Sequence, residues 1–243
     1  MEEAAELGNY LPLSFKTPSE QEYIAFLWEA FETNYTHGKY QFAFLAYHML
    51  AMSFVYFNIW QIKQARPEDF AKGLIGFARE ENDLLGATSP FVFSTVKERT
   101  MVRFLKLIAC DNAKIGTYAK LVDDRNGTAH PNGNIFFRTR AALDAKVTET
   151  LRVVEEIQAH SKPVIEHAYG EFLLHNYDPE EREYPDAADQ IREVLIHGNY
   201  LSQKDIDICL GFDLSTLPDH TALKQIRELH ERFQAAYGDR SVA

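Results

Sequence analysis

The chain has 243 residues, which is long enough for one large domain or two small ones and for a core that needs no disulfide or metal. Hydrophobic residues make up 46% and charged residues 25%, a balance that excludes disorder over most of the length. The net charge of −11 argues against a broadly basic nucleic-acid-binding surface, because phosphate recognition relies on Lys and Arg.

Cysteine usage and the N-terminal residues bear on the compartment. Cys110 and Cys209 stand alone without C-x-x-C spacing, so neither a zinc ribbon nor a disulfide framework is indicated. The start of the chain, Met-Glu-Glu-Ala-Ala-Glu, lacks the basic region and apolar stretch of a secretion signal. These features predict a reducing, cytoplasmic setting.

Residues 1–16 carry no periodic pattern and are expected to be a flexible N-terminal segment. Thr17, Pro18 and Glu20 form a capping box with proline at the first helical position, which predicts a helix to about Tyr35. A second helix is predicted from Tyr40 to Ala65, ended by Arg66-Pro67.

The second predicted helix contains nineteen residues without a formal charge, from Phe42 to Trp60. Such a stretch is long enough to cross a bilayer. His48, Ser53 and Asn58 interrupt it, and a helix that is apolar on every side also suits the centre of a bundle. We therefore expect a core helix and no membrane association, with its aromatic residues in the core or at a dimer interface.

The remaining elements also read as helices. A short helix follows Pro67 to about Asn82, residues 86–93 look like a loop, and Ser94 or Thr95 with Glu98 is expected to restart a helix. Further helices are predicted over 111–124, 139–168 with a kink or break at Pro163, 187–196, 202–210 and 221–237. The fold class is all-α: a helical bundle over 17–175 and a C-terminal helical appendage over 176–243 packed on it.

Charge is distributed unevenly along the chain. Between Lys97 and Arg140 there are nine basic and four acidic residues, a net of +5, so the remainder carries −16. A locally basic segment within an acidic body fits a confined phosphate-binding surface, although an uneven solvated surface explains it equally well.

Residues 125–130, Arg-Asn-Gly-Thr-Ala-His, lie within this basic segment where a helix is expected to give way to a loop. Arg125 can clamp phosphate oxygens, Asn126 can orient a substrate, and His130 can move a proton near neutral pH. These groups suit RNA cleavage without a metal, in which a 2′-hydroxyl attacks the adjacent phosphate and leaves a 2′,3′-cyclic phosphate. Arg192 and His197 have the same spacing, but Glu193 replaces the asparagine and would repel a phosphate.

The pattern Arg125-Asn126-x-x-x-His130 in an all-helical chain resembles the signature of the HEPN (higher eukaryotes and prokaryotes nucleotide-binding) superfamily. The resemblance implies a bundle of four to five helices, a homodimer whose two motifs meet in one cleft, and metal-independent endoribonuclease activity without a cofactor. Proteins of this type serve as toxins, antiviral factors or RNA-processing nucleases, and a cognate antitoxin or regulatory partner is then expected. The basic residues expected to guide RNA are Lys114, Lys120, Arg138 and Arg140.

Two alternatives accompany this interpretation. Arg125 would be structural if it paired with Asp123, Asp124 or another acid, and His130 would be structural if it only capped the helix. The chain would then be a non-catalytic helical module that binds a partner protein or a nucleotide. A separate group, Glu156, His160, His167 and Glu171, has spacing compatible with metal ligation but lacks a second Glu-x-x-His helix, so a solvated polar face is preferred.

Overall fold

The computed structural model describes residues 2–75, 79–131, 133–218 and 221–238, with residues 79–82 described for their backbone alone. All regular elements in these ranges are helices, and the one β-type pairing is an isolated bridge between Pro12 and Ser202. The predicted all-α class is confirmed. The α-helices are α1 (Glu2–Ala5), α2 (Pro18–Thr36), α3 (Tyr40–Ala65), α4 (Pro67–Gly73), α5 (Glu98–Met101), α6 (Asn112–Ala129), α7 (Arg140–Asn176), α8 (Ala187–Gln190), α9 (Gln203–Leu210) and α10 (Leu223–Tyr237).

Short helical segments of other types connect these elements. The 3₁₀ segments are Glu6–Tyr10, Arg79–Gly86, Pro90–Thr95, Val102–Ile108 and Leu214–Thr216, and a π-helical turn covers Ile191–His197. The loop expected over 86–93 is therefore partly a 3₁₀ helix, and the helix expected to restart at Ser94 or Thr95 begins instead at Glu98.

Helices α2 and α3 form an antiparallel hairpin at the centre of the fold. The Thr17 hydroxyl accepts a hydrogen bond from Glu20 N at 3.3 Å and the Glu20 carboxylate accepts one from Thr17 N at 3.3 Å, so the predicted capping box is confirmed. The turn between the helices places Gly38 at φ +71°, a conformation that glycine adopts without steric cost. The predicted bounds of α3 match those observed.

Helix α3 is the innermost element. It is the one helix in the described ranges that is long and apolar enough to cross a membrane, and 83% of its most apolar window is buried by the rest of the protein. It packs against α2, α6 and α7, so burial by protein accounts for its apolar surface on every side.

Helix α7 runs through two hydrophobic clusters. Along α7 the first cluster reaches Val164 and the second starts at Ile165, so both clusters share this helix. The predicted break at Pro163 does not interrupt the helix. Pro163 and Ala159, whose carbonyl loses its intrahelical donor to the proline, both occupy exposed positions where water can replace the missing bond.

The N-terminal segment differs from the sequence-based expectation. Residues 2–10 form helical turns that bury Leu7 completely, where a flexible segment was expected. An apolar residue at this position binds the segment to the core because its burial offsets the entropy of ordering. Towards the other end, Ser202 caps α9 and Asp205 completes a capping box.

Candidate functional site

Helix α6 carries the 125–130 motif. Its N-terminus is capped by Asp111, whose carboxylate accepts a hydrogen bond from Lys114 N at 2.9 Å. The helix was expected to end near Asp124 but continues to Ala129, so Arg125 and Asn126 lie within its last turn and a half. Thr128 is buried and its hydroxyl donates to Asp124 O at 2.8 Å, which holds this last turn in helical form.

Arg125 is partly buried and forms an ion pair with α5. Its Nη2 lies 2.5 Å from Glu98 Oε1, and the two side chains are 28% and 17% exposed. The other carboxylate oxygen, Glu98 Oε2, lies 3.0 Å from Nε2 of His48, a buried residue of α3. The imidazole of His48, the carboxylate of Glu98 and the guanidinium of Arg125 thus link α3, α5 and α6.

The contacts of Glu98 with His48 and Arg125 favour its ionised form. Burial alone would raise the pKa of its carboxyl, but the hydrogen bonds and charges of His48 and Arg125 outweigh burial and lower the pKa below its usual value. An ionised carboxylate can only accept hydrogen bonds, so Nε2 of His48 carries the proton that faces it.

Arg125 therefore has an acidic partner, as the structural alternative required. That partner is Glu98 and not Asp123 or Asp124. Asp123 pairs with Arg99 at 2.6 Å, and Asp124 pairs with Lys146 of α7 at 2.7 Å. These contacts and the Glu98 pair fix the motif-bearing end of α6 against α5 and α7.

His130 lies at the C-terminal cap of α6. Its backbone leaves the helix with φ −78° and ψ 143°, and its N–H donates to Asn126 O at 3.3 Å. The imidazole is exposed, whereas Asn126 is half-buried. Among the described residues, no hydrogen bond joins the His130 and Arg125 side chains, and Arg125 is held by Glu98 instead.

Gln41, in the first turn of α3, holds the loop that follows the motif. Its Nε2 donates to Thr128 O at 3.2 Å, and its Oε1 accepts from Phe136 N at 2.9 Å. Sequence reasoning missed this residue, as it missed the roles of His48 and Glu98 at the site. Glu98 was expected to cap a helix, but α5 has no side-chain cap and the carboxylate binds Arg125 instead.

The basic residues proposed to guide RNA occupy different places. Arg138 and Arg140 are exposed at the start of α7, and the Arg140 guanidinium lies 5.2 Å from the Tyr35 ring centroid. Lys120 is exposed on α6, roughly 7 Å along the helix axis from Arg125. Lys114 lies near the other end of α6, where its Nζ contacts His160 Nε2 at 2.5 Å, so it is not grouped with the motif.

The other polar side chains singled out in the sequence have ordinary partners. Glu156 accepts a hydrogen bond from the Tyr118 hydroxyl at 3.2 Å, and His160 Nδ1 lies 3.1 Å from Ile108 O. Within the described residues, no group of three or more His, Cys, Asp or Glu side chains is placed to hold a metal ion.

Comparisons with known proteins return nothing. The chain matches no protein-family model, and neither a curated protein nor a solved structure resembles it closely enough to count as a match. The class that the structure itself defines is an all-α protein in which the linked side chains of His48, Glu98 and Arg125 are at least partly buried and His130 is exposed.

Proposed function

We propose that this chain is a metal-independent endoribonuclease of HEPN type that acts in the cytoplasm as a homodimer. Its role would be that of a toxin, an antiviral factor or an RNA-processing enzyme. The observation that carries the proposal is the position of the motif: Arg125 and Asn126 lie near the C-terminus of α6, and His130 is exposed at its cap. A cation fixed by the fold and a solvent-accessible imidazole five positions further along suit cleavage of a phosphodiester.

In the proposed reaction His130 accepts the proton of a ribose 2′-hydroxyl as its oxygen attacks the adjacent phosphorus. The bond from phosphorus to the 5′-oxygen of the next nucleotide then breaks, and that oxygen takes up a proton. Arg125 stabilises the negative charge of the phosphorane and Asn126 orients the phosphate. The products are a 2′,3′-cyclic phosphate and a 5′-hydroxyl, and neither step requires a metal.

In a dimer, two copies of the motif would meet in one cleft, so that His130 of one copy could act with Arg125 of the other. Exposed apolar side chains near the motif support an interface there: Phe42, Ile135 and Phe136 are 60%, 57% and 48% exposed. The hydrogen bond from Phe136 N to Gln41 holds two of them on adjoining segments. Burial of such side chains against a second copy would stabilise the assembly.

The test is cleavage of end-labelled mixed RNA in EDTA. We expect the wild-type chain to cut and leave 2′,3′-cyclic phosphate ends, and the Arg125→Ala/His130→Ala double variant to lose at least 100-fold in rate, as expected when a proton-transfer group is removed. The chain offers a matched control in Arg192→Ala/His197→Ala, which has the same spacing at a surface site and should keep full activity. The proposal fails if His130→Ala alone leaves cleavage unchanged in a preparation that folds and dimerises.

A second candidate is favoured by the Arg125–Glu98 ion pair, which gives the arginine a structural role. In that case the chain is a non-catalytic module that binds a partner protein, such as an antitoxin, or a nucleotide. Salt dependence separates the two candidates: phosphate contacts release counterions and make RNA binding fall steeply with salt, whereas an apolar association does not.

A further inference from the structure

A cleft opens beside Arg125, and His130 is not among the residues that line it. It lies between α2, α3, the Pro90–Thr95 segment and α5, with a volume of about 820 Å³. Cavities of this size are typical of sites for small organic ligands. Arg125 and Glu98 both line it, so it adjoins the proposed catalytic arginine.

Tyr56 supplies a polar group to the cleft: the residue is 6% exposed and lines it. Burial, and then the charge of Glu98, raise the pKa of this phenol, so the neutral hydroxyl is favoured and can donate. A neutral phenol that lines a cleft can hydrogen-bond an acceptor of a ligand bound there.

The walls of the cleft suit a flat ring. The rings of Tyr23 and Phe91 lie edge to face with their centroids 5.3 Å apart, and Met49 and Met52 line the cleft from α3. Aromatic faces and thioethers are soft, polarisable surfaces that pack well against a planar heterocycle.

The polar edge of the cleft sets the hydrogen-bonding character of that ring. The Glu98 carboxylate offers acceptor positions beyond the two used by Arg125 and His48, and Tyr56 offers a donor. A ligand that satisfies both needs an N–H group beside a ring nitrogen or carbonyl oxygen, which is the edge pattern of a nucleobase. The cations Arg125 and Lys97, which also line the cleft, suit its phosphate.

We propose that this cleft binds the base of a nucleotide, held between Tyr23, Phe91 and the two methionines and hydrogen-bonded by Tyr56 and Glu98. The inference rests on the proposed function in taking that nucleotide to be a residue of the RNA strand whose phosphate Arg125 contacts. A free nucleotide presents the same chemistry.

Calorimetric titration of the full-length chain with AMP, UMP and ribose 5-phosphate tests base recognition without any cleavage. We expect at least one mononucleotide to bind tenfold or more tightly than ribose 5-phosphate, and Tyr56→Phe to weaken that binding about tenfold. Tyr47→Phe is the matched control, because Tyr47 is a buried tyrosine of the same helix that does not line the cleft. Equal binding of ribose 5-phosphate, or equal losses in the two tyrosine variants, would overturn the proposal.

Cleavage measured in parallel separates this inference from the proposed function. If RNA is cut but no mononucleotide binds, the ribonuclease assignment stands and the base site is refuted. If a mononucleotide binds through Tyr56 and no RNA is cut, the base site stands and its ligand is a free nucleotide. If both occur, we expect Tyr56→Phe to raise KM for RNA with little change in kcat, and an unchanged KM would exclude an RNA residue as the occupant.

Discussion

The linked side chains of His48, Glu98 and Arg125 concentrate charge in a partly buried part of the protein. Glu98 is the only anion of the three, and each of its oxygens has its own donor. Removing its charge leaves a half-buried guanidinium without its counter-ion, which costs more than the loss of an ordinary surface pair. The stability of the motif-bearing end of α6 therefore depends on this one carboxylate.

We expect Glu98→Gln to lower the free energy of unfolding at pH 7 by about 1–3 kcal/mol, the range for a lost hydrogen bond to a charged group. Because the pKa of Glu98 is lowered in the folded protein, its contribution is present above its unfolded value, about 4.3, and is lost as pH falls through the folded value. Urea unfolding at pH 7, 5 and 3.5 should show the wild type and the variant converging at the acidic end. Glu22→Gln, at an exposed position, serves as the control, and a constant gap across this pH range would contradict the assignment.

Residue chemistry at the motif was predictable from the sequence, but its partners were not. Arg125, Asn126 and His130 stand out by type and spacing alone. The carboxylate that pairs with Arg125 is 27 positions away, on a helix of four residues whose placement depends on tertiary packing. Local capping rules assigned Glu98 another role because they consider only neighbouring residues.

At the scale of elements, the helices with strong end signals were predicted most accurately. Thr17-Pro18 and Arg66-Pro67 fix the bounds of α2 and α3 through local sterics and hydrogen bonds, which sequence reasoning captures. The C-terminus of α6 has the same kind of signal in His130-Pro131, which the expected end near Asp124 overlooked, and contacts of Thr128 and Gln41 hold the last turn. Pro163 suggested a break that the packing of α7 against two clusters overrides.

A substitution at Gly127 tests whether the helical backbone of the motif requires glycine. An added methyl group would meet nothing within 4 Å, and the residue lies inside a continuous helix. We expect Gly127→Ala to raise the free energy of unfolding by roughly 0.5–1 kcal/mol, because alanine loses less backbone entropy on folding. Gly116→Ala, in the same helix and equally open, should give a similar gain. Thermal unfolding of both variants measures this, and a loss of stability confined to Gly127→Ala would indicate that the motif needs glycine.

At the scale of the whole molecule, two hydrophobic clusters share α7 and are joined by a buried polar network. Asp205 accepts hydrogen bonds from Gln61 Nε2 at 3.0 Å, Gln158 Nε2 at 2.7 Å and both Ser202 N and Oγ at 2.9 Å. The network links α9 to α3 and α7, which positions the C-terminal helices on the bundle.

We expect Asp205→Asn to cost about 1–3 kcal/mol, because the new amide N–H₂ would face donors and leave at least one unsatisfied. Asp207→Asn is the control, since Asp207 is exposed on the same short helix. Urea unfolding monitored by far-UV circular dichroism measures both variants. If both lose equally, the loss is not specific to the buried network and the assignment fails.

The C-terminal cluster also contains a histidine whose titration couples stability to pH. The His230 Nδ1 lies 2.7 Å from the Tyr169 hydroxyl, and both side chains are buried. Burial lowers the pKa of His230, opposed in part by the charge of Glu231, so the folded protein holds the imidazole neutral as an acceptor for the phenol.

We expect the protein to lose stability as pH falls below about 6.5, the pKa of histidine in an unfolded chain. Between that value and the lower folded pKa the unfolded state binds the extra proton, so acidification favours unfolding. Thermal unfolding at pH 7.5, 6.5 and 5.5 should show a fall in Tm that His230→Gln reduces, while His175→Gln, at an exposed position, leaves it unchanged. Hydrogen exchange over α10 should quicken at pH 5.5 beyond its intrinsic pH dependence if the histidine is responsible. Parallel pH profiles for the wild type and His230→Gln would assign the acid sensitivity to another group.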